Sequence, residues 1–351
     1  MCGFCGVLHW EPPPEPELLN MMSAAIAHRG PDQAGQWLDA DAGVGLGFRR
    51  LAIIDLSTAG HQPMSNETDD TWLTYNGEVY NYPQLREQLL SCGHVFKSHT
   101  DSECVLHGYE EWGVDITSRL RGMFAFGLWD GAKRQLVLAR DRIGIKPLYY
   151  YWDGRRFAFA SEIKALCALP NADLTVDTSA LWDYLTYLYI PHPKTIYRNV
   201  RQVPPGHYLV KESDKAPRLS AYWDVAIWGQ PLDGPELERN AAWPEAVERV
   251  RTKLAETVEA HLLADVPVGL FLSGGLDSSS VAAFARESHG APVKTFSIGF
   301  DVPEHTELPY ARQVATKFAT EHHEQTLVAT RSGNGSATNL VDLSEALQQM
   351  L

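Results

Sequence analysis

The chain has no basic stretch. Its 351 residues carry 30 Lys and Arg against 44 Asp and Glu, a formal net charge of -14. That balance argues against nucleic acid and anionic membrane surfaces as partners. Cysteine is scarce: Cys2, Cys5, Cys92, Cys104 and Cys167 are too few and too scattered for a disulfide framework. No apolar run approaches the roughly 20 residues of a membrane span. The N-terminus has neither a charged n-region nor an apolar h-region, so no secretory signal is read there. Together these absences lead to the expectation of a cytoplasmic protein of ordinary globular composition, with no membrane or nucleic-acid partner. At 44% hydrophobic and 21% charged residues, the length fits about two domains. A homodimer stays open.

What is present begins at the first residues, Met1-Cys2-Gly3. Removal of Met1 would leave a cysteine bearing a free α-amine. Nucleophile and general base would then share one residue, the logic of N-terminal threonine hydrolases. A free α-amine near pKa ~8 and a thiol near ~8.5 are both close to a useful protonation balance at neutral pH. Cys2-Gly3-Phe4-Cys5 is also a CxxC, but no strand precedes it as in a thioredoxin-like site. A zinc site would need a second ligand pair, and the chain has no second CxxC; Cys92, His94, Cys104 and His107 are the weaker candidates for that role.

Residues 1–224 read as an α+β layered domain. Leu18, Met22, Ala25 and Ile26 mark one helix face; Pro83 opens a second helix with Leu85 and Leu89 inward and Gly93 as its stop. Asp101 to Trp112 reads as a third, closed by Gly113. Strands are expected over 45–55, 72–80, 123–129, 135–140, 148–152 and 156–160. A linker over 225–243 includes Trp228 to Pro235, with two prolines and two glycines. The pattern then switches. Pro244 opens a helix with Val247, Val250, Leu254 and Val258 at helical spacing. Strands at 268–272, 295–300 and 323–328 alternate with helices, the start of a doubly wound parallel sheet. Such a three-stranded unit over 244–328 is marginal alone. Residues 329–351 form an atypical tail.

Within that second region, Ser273-Gly274-Gly275-Leu276-Asp277-Ser278-Ser279 follows a strand and opens a helix. Glycines let backbone N–H groups approach a phosphate, and a helix N-terminus favours negative charge. The Walker lysine is missing. A pyrophosphate cradle fits better, with Asp277 helping to hold Mg²⁺ through the phosphates.

The assembled motifs resemble the glutamine-hydrolysing asparagine synthetase family. They are Met1-Cys2-Gly3, His28-Arg29-Gly30-Pro31-Asp32, Arg50-Leu51-Ala52-Ile53-Ile54-Asp55, Asn76-Gly77-Glu78-Val79-Tyr80-Asn81, Thr100-Asp101-Ser102-Glu103, Gly122 to Phe126, Arg140-Asp141 and Ser273 to Ser279. The resemblance implies an Ntn-hydrolase-like αββα sandwich, a class II glutamine amidotransferase domain, ahead of an apparently incomplete ATP-pyrophosphatase-type synthetase sheet. Cys2 would attack the glutamine amide, with Asn76 and Gly77 as the oxyanion hole. Arg50, Leu51, Ile53, Glu78 and Asp101 would bind glutamine, Arg50 at the α-carboxylate and Asp101 and Glu78 at the α-ammonium. Phe271, Leu272, Ser273, Gly274, Gly275, Asp277, Ser278, Ile298 and Gly299 would bind ATP. Aspartate and ATP would form β-aspartyl-AMP, which ammonia converts to asparagine.

Each element has a plainer reading: Asn-Gly as a turn, Arg50 as a surface charge, Asp101 as a helix cap, Phe271 and Ile298 as core, His28-Arg29 as the end of a helix. The resemblance fades after His322-His323-Glu324, and a second Ser-Gly-Glu-Gly-x-Asp-Glu segment and a downstream lysine expected from it are missing. A truncated chain competent only for glutaminase is therefore expected. The alternatives are a related ligase with another carboxylate acceptor, or a non-catalytic glutamine- or nucleotide-binding fragment.

Overall fold

A computed structural model describes residues 1–9, 14–212, 215–225, 242–289, 292–300 and 306–327. Most of the expected linker and the whole of the 329–351 tail lie outside the described residues. The chain divides into two units, Met1–Trp228 and Gly229–Leu351.

In the first unit the strands are β1 (Gly3–Leu8), β2 (Gln33–Asp39), β3 (Val44–Arg50), β4 (Met64–Ser65), β5 (Thr71–Val79), β6 (Gly122–Asp130), β7 (Gln135–Arg140), β8 (Tyr149–Trp152), β9 (Phe157–Ala160), β10 (Val200–Gln202), β11 (His207–Glu212) and β12 (Arg218–Ala221). They form two six-stranded sheets in the orders β10-β8-β9-β1-β3-β2 and β12-β11-β7-β6-β5-β4. Neighbouring strands in both sheets run antiparallel. The helices are α1 (Pro16–Ala25), α2 (Tyr82–Ser91), α3 (Asp101–Trp112), α4 (Ile116–Arg119), α5 (Ile163–Cys167) and α6 (Thr178–Tyr187).

Strand alternation builds the layers. Phe4, Leu8, Val44, Leu46 and Phe48 of one sheet meet Trp129, Leu136, Leu138 and Leu209 of the other. The opposite face of β1, Cys5 and Val7, packs under Leu18 and Met22 of α1 and Leu166 of α5. Leu85 and Leu89 of α2 and Val105 and Tyr109 of α3 cover the outer face of the second sheet. The result is the αββα sandwich expected above.

That alternation also disposes of the CxxC. Cys2 and Cys5 are three residues apart, so they point to opposite faces: Cys2 joins the inter-sheet cluster, while Cys5 is buried among α1 and α5 residues. One expected strand is corrected. Residues 45–55 do not run through; β3 stops at Arg50 and residues 51–55 leave the sheet. The motif there is apolar enough to read as strand, but a central-sheet strand of that length would overrun its partner β1, whose pairing with β3 ends at Gly3↔Arg49.

The second unit contains α7 (Ala242–His261), β13 (Gly269–Phe271), α8 (Leu276–His289), β14 (Lys294–Phe300), α9 (Leu308–Phe318) and β15 (Glu321–Leu327). Its sheet is parallel, in the order β13-β14-β15. Two small clusters support it: Leu272 with Ala282, Ala311 and Ala315, and Val258 with Ala285 and Val293. The spacing of Val247, Val250 and Leu254 on α7 suggests a buried face, but all three are exposed, and of that row Val258 alone is buried. Helical periodicity reports which residues share a face; it does not supply the surface that covers them.

Candidate active site

The two residues ahead of β1 border a cavity in the first unit. Its wall includes Met1, Cys2, Arg50, Leu51, Ile53, Ile54, Gly60, Gln62, Tyr75, Asn76, Gly77, Glu78, Thr100, Asp101, Ser102 and Lys146. All eight residues expected at the glutamine site line it: Cys2 just ahead of β1, Arg50 at the end of β3, Leu51 and Ile53 in the loop that follows, Asn76, Gly77 and Glu78 in β5, and Asp101 at the start of α3.

The Cys2 thiol lies 3.4 Å from both the backbone N and O of Leu51. This contact exists because β3 ends at Arg50 and releases Leu51 from the ladder. Burial pushes the Cys2 thiol up, outweighing the Leu51 contact that lowers it. At neutral pH the resting group is therefore a thiol and needs a base to take its proton. With Met1 attached, the Cys2 nitrogen is an amide; burial lowers the pKa of the Met1 amine that stands in front of it. The Cys2 carbonyl accepts a bond from Arg29 Nε at 2.9 Å. Arg29 Nη1 in turn pairs with Glu162 at 2.9 Å. Glu162 also meets His28 and Lys164; partial burial opposes it, but hydrogen bonds from Arg29, Lys164 and His28 hold its carboxyl at about 2. Arg29, read from sequence together with His28 as a helix end, thus anchors the Cys2 backbone.

Asn76 and Gly77 sit in mid-strand, not in a turn: β5 runs Thr71–Val79, and Asn76 and Gly77 oppose Ala125 and Phe124 of β6. Asn76 is buried, and its Nδ2 has no hydrogen-bond partner. A buried donor left unpaired costs about 1–3 kcal/mol, which makes it a poised hydrogen-bond donor. Gly77 allows the crowding around it. A Cβ there would stand 2.4 Å from the Met123 carbonyl oxygen and 2.8 Å from the Tyr75 hydroxyl.

Arg50 is not a surface charge. It is buried, with Nη1 donating to the Ser57 carbonyl at 2.7 Å and Gln33 Oε1 at 3.2 Å, and Nη2 to the Asp55 carbonyl at 2.5 Å. The loop after β3 folds back to make those contacts. Asp55 fixes it by accepting from Ser57 N at 3.0 Å and His99 N at 2.8 Å.

Asp101 opens α3 and is buried; Thr100 is the cap residue. Its Oδ2 accepts from the Tyr75 hydroxyl at 2.5 Å and Val79 N at 2.8 Å. Burial outweighs those two bonds and raises its carboxyl to about 6. Burial likewise raises Glu78 and lowers the Lys146 ammonium. Tyr75, Gln62, Gly60 and Lys146 escaped sequence reading. Tyr75 adjoins the Asn76 motif, but its role emerges only through a bond 26 residues away, and Gln62 appears only because its Oε1 accepts from Tyr75 N at 2.6 Å.

In the second unit, Phe271, Leu272, Ser273, Ser278, Phe296, Ser297, Ile298, Glu307 and Leu308 line a cleft of about 330 Å³. Of the nine residues expected at ATP, five are in this wall. Gly274, Gly275, Asp277 and Gly299 are not. Gly299 packs against Leu308 of α9, and Asp277 is exposed on the first turn of α8. Ser273 and Ser278 hydroxyls meet at 2.9 Å and close the loop. Gly274 has φ +83°, and a Cβ would strike the α9 backbone at Tyr310 and Ala311, 2.5 and 2.6 Å away. Phe271, a natural core residue by type, is 72% exposed, whereas Leu272 beside it is buried.

A two-sheet sandwich with a cysteine heading a central strand is the architecture of an amidotransferase domain, and residues 1–223 match the glutamine amidotransferase domain family. Residues 249–331 match the asparagine synthase family. The chain belongs to the glutamine-hydrolysing asparagine synthetase family. Asparagine synthetase (glutamine-hydrolyzing) 1 of Bacillus subtilis (strain 168) is 38% identical over 326 residues, 92% of this chain and 49% of that protein. Asparagine synthetase (glutamine-hydrolyzing) 3 of the same organism is 34% identical over 344 residues, 92% and 54%. Amidase chry2 of Gibberella zeae is 39% identical over 260 residues, 73% and 37%. The chain therefore spans about half the length of the two synthetases. No helix among the described residues is long and apolar enough to cross a membrane.

Proposed function

We propose that this chain hydrolyses glutamine to glutamate and ammonia at Cys2, and that the ammonia serves an ATP-dependent amidation of a carboxylate, aspartate in the first instance. The observation that carries the first half is the convergence of the Cys2 thiol, the unpaired Asn76 Nδ2, buried Arg50 and the Asp101–Glu78 pair in one cavity. Loss of Met1 frees the Cys2 amine to take the thiol proton as sulfur attacks the side-chain amide. The oxyanion that forms lies toward Asn76 Nδ2 and the Gly77 N–H, donors worth roughly 3–4 kcal/mol each in comparable hydrolases. Proton transfer back to the leaving nitrogen releases ammonia, and water then cleaves the glutamyl thioester. Arg50 pairs with the α-carboxylate. Glu78 and Asp101 face the α-ammonium, and Arg29 holds the nucleophile's carbonyl so that its position survives each proton transfer.

For the second half, the Ser273–Ser278 loop at the head of α8 suits pyrophosphate, and the apolar Phe271 and Ile298 suit a nucleotide base. Mg²⁺, which would screen the phosphate charge, has Asp277 as its one nearby carboxylate in the loop, so no step is assigned to it. The acceptor could equally be another carboxylate; the likeness to an amidase, Amidase chry2, favours keeping that reading.

The test has two arms. Purified chain, its mass first measured for loss of Met1, should release glutamate from glutamine. Given ATP, Mg²⁺, aspartate and ammonia, pyrophosphate release reports the second unit alone. None is expected, since five of the nine residues expected at the nucleotide line the cleft and four do not. Aspartate-dependent release would mean the short sheet is sufficient for the synthetase step.

A further inference from the structure

A second cluster of ligating side chains lies away from the Cys2 cavity. Glu67, in the turn between β4 and β5, His94, in the link between α2 and α3, and His107, within α3, each offer one ligand atom, and these atoms lie within 4.8 Å of one another. None of the three lines the cavity around Cys2. Glu110, one turn after His107 on the same helix face, adds a fourth donor. Its Oε2 is 2.7 Å from His107 Nδ1 and 3.9 Å from His94 Nδ1.

Each carboxylate uses one oxygen to brace itself and turns the other inward. Glu67 Oε1 accepts from Val95 N at 3.3 Å, while its Oε2 stands 3.9 Å from His107 Nδ1. Glu110 Oε1 accepts from Asn66 Nδ2 at 2.8 Å, which leaves Oε2 facing the two imidazoles. His107 is buried, with Phe96 edge-on to its ring at 4.8 Å. Its Nε2 points at Glu103 Oε1, 3.6 Å away. Glu103 is itself pinned by Lys97 N and Ser98 N at 2.7 and 2.8 Å.

We propose that Glu67, His94, His107 and Glu110 bind a divalent transition-metal cation of the zinc type. Two imidazole nitrogens and two carboxylate oxygens make a borderline donor set that suits Zn²⁺ over Mg²⁺ or Ca²⁺. His107 coordinates through Nδ1, and its Nε2, which has no hydrogen-bond partner, faces Glu103 Oε1 at 3.6 Å, the carboxylate a metal-bound imidazole would use to settle its tautomer. Tetrahedral ligand atoms at ~2.1 Å from zinc lie about 3.4 Å apart. The widest spacing must therefore contract by roughly 1–2 Å, which rotation of the partly exposed Glu67 and His94 side chains accommodates. The cation would tie together the β4–β5 turn, the α2–α3 link and α3, three segments separated in sequence. The cysteines that zinc might have been expected to recruit are not in the cluster: Cys104 is buried with Sγ on the Tyr82 carbonyl at 3.6 Å, and Cys92 is exposed.

The experiment uses the intact chain, stripped with a chelator and then dialysed against Zn²⁺ or Co²⁺. About one equivalent of metal retained per chain and a rise in melting temperature with Zn²⁺ but not Mg²⁺ are expected. The Co²⁺ form should show visible d–d absorption without a thiolate charge-transfer band. His107 is buried and its substitution could unfold the protein, so Glu67→Gln and His94→Gln carry the test; each should weaken Zn²⁺ affinity at least tenfold. Absence of stoichiometric binding, a thiolate band, or affinity unchanged in both variants would overturn the site, leaving an ion-pair network centred on a protonated His107.

Discussion

The two units of this chain solve the same problem to different degrees. The first buries whole aromatic layers, with Trp129, Tyr151, Phe4, Phe48, Phe124, Phe126, Phe157 and Phe159 essentially inaccessible. The second rests on clusters of four and three residues, mostly alanine and valine, and leaves Phe271, Leu276, Val247 and Val250 in contact with solvent. The sites differ in parallel. The Cys2 cavity is walled by all eight expected residues, with Arg50 and Asp101 buried and hydrogen-bonded in place. The cleft of the second unit has five of nine, and its loop is closed by its own serines. Preorganised chemistry needs side chains whose positions are locked by packing behind them, and the first unit has that support on both faces of each sheet.

The largest expected effect is at the nucleophile. Cys2→Ala should reduce glutaminase turnover by about 10⁴-fold or more without shifting either unit's melting, as read by a coupled glutamate assay and calorimetry. Activity within tenfold of the parent would detach the chemistry from the cavity altogether. Next, Asn76→Ala should lower kcat by about 10²–10³-fold with KM nearly constant, because the donor acts on charge that develops during reaction. A change confined to KM would instead make Asn76 a ground-state binding residue.

Asp101 sharpens the contrast through pH. Its carboxyl is raised from 3.8 to about 6 by burial, so the folded state holds an extra proton between those values. Its contribution to stability is full below 3.8 and is lost as pH rises through about 6. Glutamine's ammonium needs the opposite, ionised form. KM for glutamine should therefore climb by up to about tenfold per pH unit below 6, and the dependence should vanish in Asp101→Asn. A flat KM from pH 5 to 7 in the parent would remove Asp101 from the ammonium site.

In the second unit, Leu272→Ala should cost about 2–5 kcal/mol. In so small a core that melts the parallel sheet while glutaminase activity is retained; loss of both together would make the two units one cooperative structure. The smallest effect on stability is expected for Gly77→Ala. Its Cβ would crowd the Met123 carbonyl, costing about 1–3 kcal/mol by overpacking and lowering the melting of the first unit; the same crowding displaces the Gly77 N–H, so kcat should fall with it.

Much of the first unit is legible in the sequence. Asp101 to Trp112 is helical over the expected bounds, because its closing Gly113 and its apolar period are local signals. β7 likewise coincides with 135–140. β1 and β2 were not read as strands: Gly3–Leu8 and Gln33–Asp39 owe their conformation to pairing with β3, a long-range contact with no local signature. The plain reading of Arg50 as surface charge failed for a related reason. Its burial depends on a loop returning from Asp55 and Ser57.

By itself, the order of residues determined the two-part organisation and the secondary structure of the strongly periodic segments, and it marked Cys2, Asn76 and Gly77 as candidates for a nucleophile and its oxyanion donors. Tertiary structure alone decided that the two cysteines of the CxxC face opposite layers and that Asn76 keeps an unpaired donor. It alone also decided that Arg29 holds the Cys2 carbonyl, and that two histidines and two glutamates meet outside the Cys2 cavity. The division follows from range. Propensity and periodicity act over a few residues, whereas burial, an orphaned donor or a ligand set is a property of segments brought together across the whole chain.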